Sequence, residues 1–200
     1  MSENNPQAAA NVQAKAAALL ITEGALVGLS AADAREVVTH MQPQLVEAGD
    51  VLTREGEESQ SDFMALVLDG EVTVESTGSA DDSMVMTVVG PGSLIGTMGF
   101  LDGGARSATC TAATDLALAI LSREAMTHLV ENHPPVAARL LMALSKRIAD
   151  NLRATNRKLL AFAQVSKALQ GELNAAHAIN HKLMDEIAAL KSAVTVLPPL

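Results

Sequence analysis

Short apolar runs, separated at close intervals by glycine, aspartate or proline, occupy the middle of the chain from Gln44 to Leu121. Such runs are typical of β-strands, and many short strands at regular spacing predict an antiparallel double-sheet roll. The residues before and after this stretch instead repeat apolar positions at helical spacing. The sequence therefore predicts an α+β fold: an antiparallel β-roll (a double-sheet jelly roll) flanked by helices and followed by a long C-terminal helix.

Short helices are predicted on both sides of the roll. Residues 7–21 are rich in alanine, and Ser30 stands where an N-cap would begin a second helix that ends near Met41. Ser122 caps a third helix, which the His-Pro-Pro sequence at residues 133–135 breaks. The pattern divides the chain into an N-terminal tail with the alanine-rich helix (1–21), the roll domain (22–135), the long helix (136–195) and a tail (196–200).

The long helix carries a heptad repeat. Two sets of mostly apolar positions alternate at spacings of three and four, namely 152, 159, 166, 173, 180, 187 and 194, and 148, 155, 162, 169, 176, 183 and 190. This spacing is typical of a coiled-coil seam and predicts a parallel homodimer. The polar Asn180 on the seam would fix the register, and Gly171 is a place where the helix can kink or end. The alternative is a helix that packs its apolar stripe on its own domain.

Composition and charge narrow the classes of function. The 200 residues carry a formal net charge of −9 and include three Phe, no Trp and no Tyr. An acidic chain lacks the basic face of a non-specific DNA binder, and so few aromatic residues argue against stacking on single strands. The single Cys110 excludes an internal disulfide. Because neither a signal segment nor a run of about 20 apolar residues is found, we expect a cytoplasmic protein that does not use the membrane.

The stretch from Pro91 to Cys110, PGSLIGTMGFLDGGARSATC, carries the clearest candidate for a binding site. It predicts a strand end, a glycine turn, a short helical turn, a Gly-Gly elbow and an Arg-Ser pair before the next strand. Glycine lets the backbone approach a ligand, and amides at a helix start point at negative charge. Arginine adds a two-pronged donor for phosphate, and serine adds a hydroxyl. The candidate ligand-binding residues here are Gly96, Thr97, Met98, Gly99, Arg106 and Ser107.

The chain from about Gly24 to Gln164 resembles the cyclic nucleotide-binding domain of the catabolite activator and kinase regulatory-subunit family. Five stretches match the family in order: ALVGLSAADAREVVTHM, VLTREGEES, LVLDGEVTV, GSLIGTMGFLDGGARSATCTAATDLALAILS and LLMALSKRIADNLRATNRKLL. The fourth is similar to the family's phosphate-binding cassette, and the fifth to the long dimerising helix of the activators. The resemblance implies a non-catalytic sensor or regulatory protein that binds cAMP or cGMP as a homodimer.

The resemblance also implies roles for single residues of the cassette. Gly96, Arg106 and Ser107 stand where the family has the same residue types. Thr97 stands where the family has a Glu that accepts a hydrogen bond from the ribose 2′-hydroxyl. Losing a charged acceptor costs about 1.5–3 kcal/mol, or about ten- to a hundredfold in affinity. The phosphate half of the predicted site is therefore intact, and the ribose half is altered.

Two features of the long helix concern how the base of the nucleotide is bound and how the binding signal is passed on. Thr155 and Asn156 fall where bacterial activators present a Thr and a Ser to the adenine, one from each subunit. Because Thr155 also lies on the heptad seam, the resemblance implies a base held between two protomers. The activators continue into a helix-turn-helix domain, for which this sequence shows no second pair of short helices. We therefore expect a stand-alone form without DNA binding, whose output passes to a protein partner that the sequence does not identify.

Other interpretations stay open. Thr97 can mark a degenerate pocket in a ligand-free dimeric scaffold or adaptor, or a site for another phosphate ligand such as a cyclic dinucleotide. An enzyme is the least favoured class, because Cys110 lies inside a predicted strand as a buried apolar residue. His177 and His181, spaced i, i+4, can bind a metal, but no Cys or carboxylate clearly completes the set. We therefore expect neither a metal nor catalytic residues.

Overall fold

Two antiparallel sheets form the body of the molecule. The computed structural model describes residues 6–58, 62–77 and 84–195, and within these ranges the strands form two four-stranded sheets. The strands are β1 Gln42–Val46, β2 Val51–Thr53, β3 Phe63–Asp69, β4 Val72–Thr77, β5 Met84–Val89, β6 Leu94–Ile95, β7 Thr109–Ala112 and β8 Leu116–Ser122. The predicted roll of short strands is confirmed.

Helices precede, interrupt and follow the roll. They are α1 Pro6–Leu20, α2 Ala31–Thr39, α3 Thr97–Asp102, α4 Arg123–Asn132 and α5 Pro134–Thr195. The Ser30 hydroxyl accepts a hydrogen bond from the Asp33 N–H, and the Ser122 hydroxyl accepts one from the Ala125 N–H, each at 3.1 Å. Each hydroxyl satisfies an N–H that the first helical turn leaves without an intrahelical partner. Both predicted N-caps are therefore confirmed.

The strand order decides which residues face each other. One sheet has the order β1-β8-β3-β6, and the other has the order β2-β7-β4-β5. In the first sheet Leu66 of β3 pairs with Ala119 of β8, and in the second Val74 of β4 pairs with Cys110 of β7. The crossing from β6 through α3 to β7 links the two sheets, so the candidate cassette lies at this connection.

Strand β3 separates two hydrophobic cores. Ala65 and Val67 belong to the core between the sheets, whereas Met64 and Leu66 belong to the core between the first sheet and the helices. All four side chains are fully buried. A strand buried on both faces has a nearly continuous apolar sequence, which explains why the run FMALVL contains no polar residue.

The first turns of α5 pack into the helical core. Leu140 and Leu144 are fully buried there. Arg139 donates to both carboxylate oxygens of Asp33 on α2, at 2.8 and 2.6 Å. These bonds from Arg139, together with the Ser30 hydroxyl, hold the pKa of Asp33 below its ordinary value, although burial acts in the opposite direction. A bidentate pair of this kind ties α2 to the start of α5.

The chain divides into two compact units, residues 1–149 and 150–200. Residues 150–195 of the second unit are a single helix that passes Gly171 without a break. The boundaries predicted at residues 21, 135 and 195 stay a prediction, and the predicted tail at 196–200 lies outside the described residues. Among the described helices, none has both the length and the apolar character that crossing a membrane requires.

Candidate functional site

The candidate site begins at a glycine in the left-handed region. Gly96 follows β6 and precedes α3 with φ 73° and ψ 12°, a conformation that side-chain-bearing residues rarely adopt. A methyl group at this position would overlap Arg106 Nη1 and lie 3.1 Å from the Phe63 carbonyl oxygen. The group that lies closest to Gly96 is the guanidinium of Arg106, and the approach of a ligand to this glycine stays a prediction.

Arg106 is buried, with 3% of its surface exposed. Its Nη1 donates to the carbonyl oxygens of Phe63 and Gly96 at 3.1 and 3.0 Å, and its guanidinium carbon lies 4.5 Å from the centre of the Phe63 ring. Its backbone pairs with the β2–β3 connection, through Arg106 N–H to the Glu57 carbonyl and Gly56 N–H to the Arg106 carbonyl. The arginine is therefore held in place from both its backbone and its side chain.

The surroundings of Arg106 act on its charge in two opposite directions. Burial lowers the pKa of Arg106, while Cys110, Asp62 and Glu57 act in the opposite direction. A guanidinium keeps its charge in proteins even when it is buried. Burial also raises the pKa of the Cys110 thiol, against the effects of a hydrogen bond with Thr53 and of the Arg106 charge. The protonated form of the thiol is therefore favoured.

A second arginine supports the short helix α3 and was not singled out by sequence reasoning. Arg123 Nη2 donates to the Gly99 carbonyl at 3.0 Å, and its guanidinium carbon lies 6.0 Å from the centre of the Phe100 ring. Phe100 anchors the other side of α3, because it is buried in the helical core. Arg123 directly follows the cap residue Ser122 and is therefore the first residue of α4. The helix dipole disfavours a cation at this position. An arginine at the start of a helix was thus the signal in the sequence that pointed to another role for this side chain.

The structure brings together some of the predicted residues. Gly96 and Arg106 are in direct contact, and Thr97, Met98 and Gly99 form the first turn of α3 beside them. Gly99 is buried, Thr97 is half-buried and Met98 is 51% exposed. The exposed Ser107 follows Arg106 in the connection to β7. The first turn of α3 and the guanidinium are thus grouped around Gly96.

Two predicted residues lie in the other compact unit. Thr155 and Asn156 are exposed residues of α5 within residues 150–200. Their expected approach to a base bound in the roll therefore stays a prediction. The residues that the structure groups together are those of the predicted phosphate half, in which Arg106 supplies a planar cation with several N–H donors.

Sequence reasoning missed a side-chain cluster away from the cassette. Glu36 and His40 of α2 lie beside His133, which stands between α4 and α5. The signal in the sequence was the i, i+4 spacing of Glu36 and His40 on one helix. The partner His133 is distant in the chain, so only the tertiary structure shows the group of three.

Comparison with known proteins identifies the roll. Residues 43–133 match the family model of the cyclic nucleotide-binding domain. The Cyclic AMP receptor protein of Thermus thermophilus is 30% identical over 123 residues, which are 62% of this chain and 56% of that protein. The chain thus spans little more than half the length of this curated relative. A second curated relative, a cAMP-activated global transcriptional regulator of Mycobacterium tuberculosis, is 23% identical over 70% of this chain and 60% of its own length.

A solved structure supports the same assignment. A cyclic nucleotide-binding domain from Methylobacillus flagellatus has a TM-score of 0.65 and 27% identity, covering 76% of this chain and 84% of that one. This similarity agrees with three features of the structure described above: a two-sheet roll, a glycine at positive φ before a short helix, and a buried arginine in contact with that glycine. Residues 43–133 of this chain are therefore a cyclic nucleotide-binding domain.

Proposed function

We propose that this protein is a non-catalytic regulatory protein that binds cAMP or cGMP in its roll and acts as a homodimer through α5. One observation carries the proposal: in a roll of the cyclic nucleotide-binding family, the buried guanidinium of Arg106 lies against Gly96 at the start of α3. A cyclic nucleotide carries a single phosphodiester charge, and one guanidinium in a site of low dielectric matches it.

The proposed ligand is held most strongly at its phosphate. Arg106 supplies the charge, the first turn of α3 from Thr97 to Gly99 supplies backbone N–H groups, and Ser107 supplies a hydroxyl. At the ribose, Thr97 is neutral and shorter than a Glu. We therefore expect an affinity about ten- to a hundredfold weaker than that of the same site with a carboxylate.

Dimerisation is proposed from the exposed apolar repeat of the second unit. Within that unit Leu159, Phe162 and Leu183 are 60, 74 and 50% exposed. A single helix cannot cover its own apolar stripe. When two such helices pair, the apolar stripes of both are removed from water. Thr155 lies on the same seam, so a base that reached it would contact both protomers. Ligand binding and helix geometry would then be coupled.

The proposed output of this stretch of chain passes through a protein partner. Residues 134–195 form one helix, so this stretch of the chain contains no helix-turn-helix. The formal charge of −9 also opposes contact with a polyanion.

The experiment is isothermal titration with cAMP and cGMP, using the unmodified chain, Arg106→Lys and Arg106→Ala. Lysine keeps the charge but lacks the planar fork, so we expect weaker binding in Arg106→Lys and a loss of at least about a hundredfold in Arg106→Ala. No heat with the unmodified chain at millimolar cAMP and cGMP would overturn the proposal. Equal affinities for the unmodified chain and Arg106→Ala would overturn the assigned role of Arg106.

A second candidate is a ligand-free dimeric scaffold, favoured by the environment of Arg106. Its Nη1 already bonds two backbone carbonyls, as expected of a cation that stabilises the roll. In that case the unmodified chain binds no cyclic mononucleotide, while Arg106→Ala still lowers the melting temperature. Adding a cyclic dinucleotide to the titration panel tests the remaining alternative, in which Thr97 suits a different phosphate ligand.

A further inference from the structure

Three potential metal ligands meet where α2 lies beside the junction of α4 and α5. Glu36 Oε1 is 3.6 Å from His40 Nε2 and 3.4 Å from His133 Nε2. The three residues each offer one ligand atom, and no two of these atoms are more than 4.8 Å apart. The cluster shares no residue with the phosphate-binding cassette and lies entirely within the first compact unit.

The local structure fixes all three positions. Glu36 lies in α2, and His40 is the C-cap residue of the same helix one turn later. His133 is the C-cap residue of α4, where its N–H donates to the Leu129 carbonyl at 2.9 Å. The His133 carbonyl accepts hydrogen bonds from the first turn of α5. The backbone beneath each ligand is therefore part of a hydrogen-bonded helix end and not of a loose loop.

The ring of His40 carries a second, independent sign of a ligand. Its Nε2 is buried and has no hydrogen-bond partner among the residues that the structure describes. A buried polar atom without a partner is unfavourable, and this one belongs to the group of three. Glu36 and His133 remain 36 and 42% exposed, so the cluster is open to solvent on one side. The unpartnered nitrogen of His40 thus lies at the inner side of a cluster whose other two ligands are open to solvent.

We propose that Glu36, His40 and His133 bind a divalent transition-metal ion, with Zn²⁺ as the best match. Two imidazole nitrogens and one carboxylate oxygen form a ligand set that zinc prefers, at about 2.0–2.2 Å from the ion. A tetrahedral ion with such bonds separates its ligand atoms by about 3.3–3.5 Å. The separations of 3.6 and 3.4 Å between the Glu36 oxygen and the two histidine nitrogens are close to this value. Three protein ligands leave the fourth position to water or a small molecule.

A fourth histidine lies next to one of the ligands. The ring of His128 in α4 is 5.3 Å from that of His40, centre to centre. The bound ion would link α2 to the start of α5, one helical turn from the Asp33–Arg139 pair that already joins them. Metal binding would therefore hold the α4–α5 junction, from which the long helix begins.

Titration of the metal-free full chain with ZnCl₂ tests the site directly. After dialysis against a chelator, we expect one Zn²⁺ per chain by calorimetry, and with Co²⁺ the intense visible absorption of a tetrahedral site. At Zn²⁺ 100-fold above Kd, mass action predicts that the melting temperature rises by about 5–10 °C. Lack of binding by the unmodified chain would overturn the proposal.

Matched variants assign the ligands. Glu36→Gln keeps the side-chain size, and His133→Gln removes an exposed ligand. We expect both to melt like the unmodified chain in chelator but to lose more than about a hundredfold in Zn²⁺ affinity. The control is His177→Gln with His181→Gln, the other i, i+4 pair, which is exposed on α5. The proposal is wrong if the control variant loses the metal while Glu36→Gln and His133→Gln keep it.

Discussion

The roll and the second-unit helix contain the same kinds of apolar side chain but bury them very differently. Leu66 and Leu118 in the roll are 0 and 1% exposed, whereas Leu159 and Leu173 in the helix are 60 and 49% exposed. The roll closes its core within one chain because each sheet covers the other. The helix has no second layer within its own unit. The contrast agrees with the proposal that the helix pairs with a partner surface, whereas the roll has a core of its own.

The largest effect is expected when the seam of the helix is disrupted. Leu159→Asp places a charge where two apolar stripes would meet, and a dimer would have to bury two such charges. We expect the dimer dissociation constant to rise by at least about a thousandfold. Sedimentation velocity of the full chain measures this, and circular dichroism should still show a folded roll.

The neighbouring residue provides the control for that change. Leu160 is 67% exposed but lies one position off the heptad seam. Leu160→Asp should therefore leave the dimer intact. If both variants dissociate equally, or if the unmodified chain is already a monomer, the coiled-coil interpretation of the helix fails.

A substitution that creates a cavity in the roll tests whether the roll depends on its own buried core. Leu66→Ala removes a fully buried side chain of β3 and should lower the free energy of unfolding by about 2–5 kcal/mol. Urea unfolding followed by circular dichroism measures the loss. The matched change Met142→Ala, at a position 72% exposed on α5, should cost less than about 1 kcal/mol. Similar losses in the two variants would contradict the assignment of the core.

A single substitution in the cassette tests whether the site binds a cyclic nucleotide weakly because of Thr97 or has lost ligand binding altogether. Thr97→Glu restores a carboxylate at the start of α3 and should raise cAMP affinity by about ten- to a hundredfold. Met98→Glu adds the same charge one residue later on an exposed side chain and should not raise it. Calorimetry of the three proteins is the measurement. An unchanged affinity in Thr97→Glu would show that the ribose end of the site differs in more than this residue.

The smallest effect concerns the pair that ties α2 to α5. Arg139 holds the pKa of Asp33 below its ordinary value of 3.8. Its charge therefore stabilises the fold above that value, and the effect is lost as the pH falls through the lowered pKa. Asp33→Asn should melt a few degrees lower than the unmodified chain at pH 7, with the difference shrinking below about pH 4. The exposed change Asp50→Asn should show no such dependence, and a constant difference for Asp33→Asn would contradict the role of its charge.

The sequence predicted most of the fold because the roll and the helices have different periodicities. The strand segments, the Ser30 and Ser122 caps and the long helix all follow from local patterns, and the structure contains each of them. In the site, Gly96 and Arg106 were found from the glycine spacing and the Arg-Ser pair. Phe63 was missed, because its carbonyl and ring reach Arg106 only after β3 and the β6–β7 crossing are folded together.

By itself the sequence determined the two-sheet roll, the cassette and the heptad helix, since each is encoded by spacing within a short stretch of chain. Only the tertiary structure decided what faces Arg106, and it showed two backbone carbonyls and an aromatic ring around a buried cation. It likewise brought His133 to Glu36 and His40 from almost a hundred residues away. Spacing along the chain fixes local structure, whereas contacts between distant segments depend on how the elements pack, and no local pattern records them.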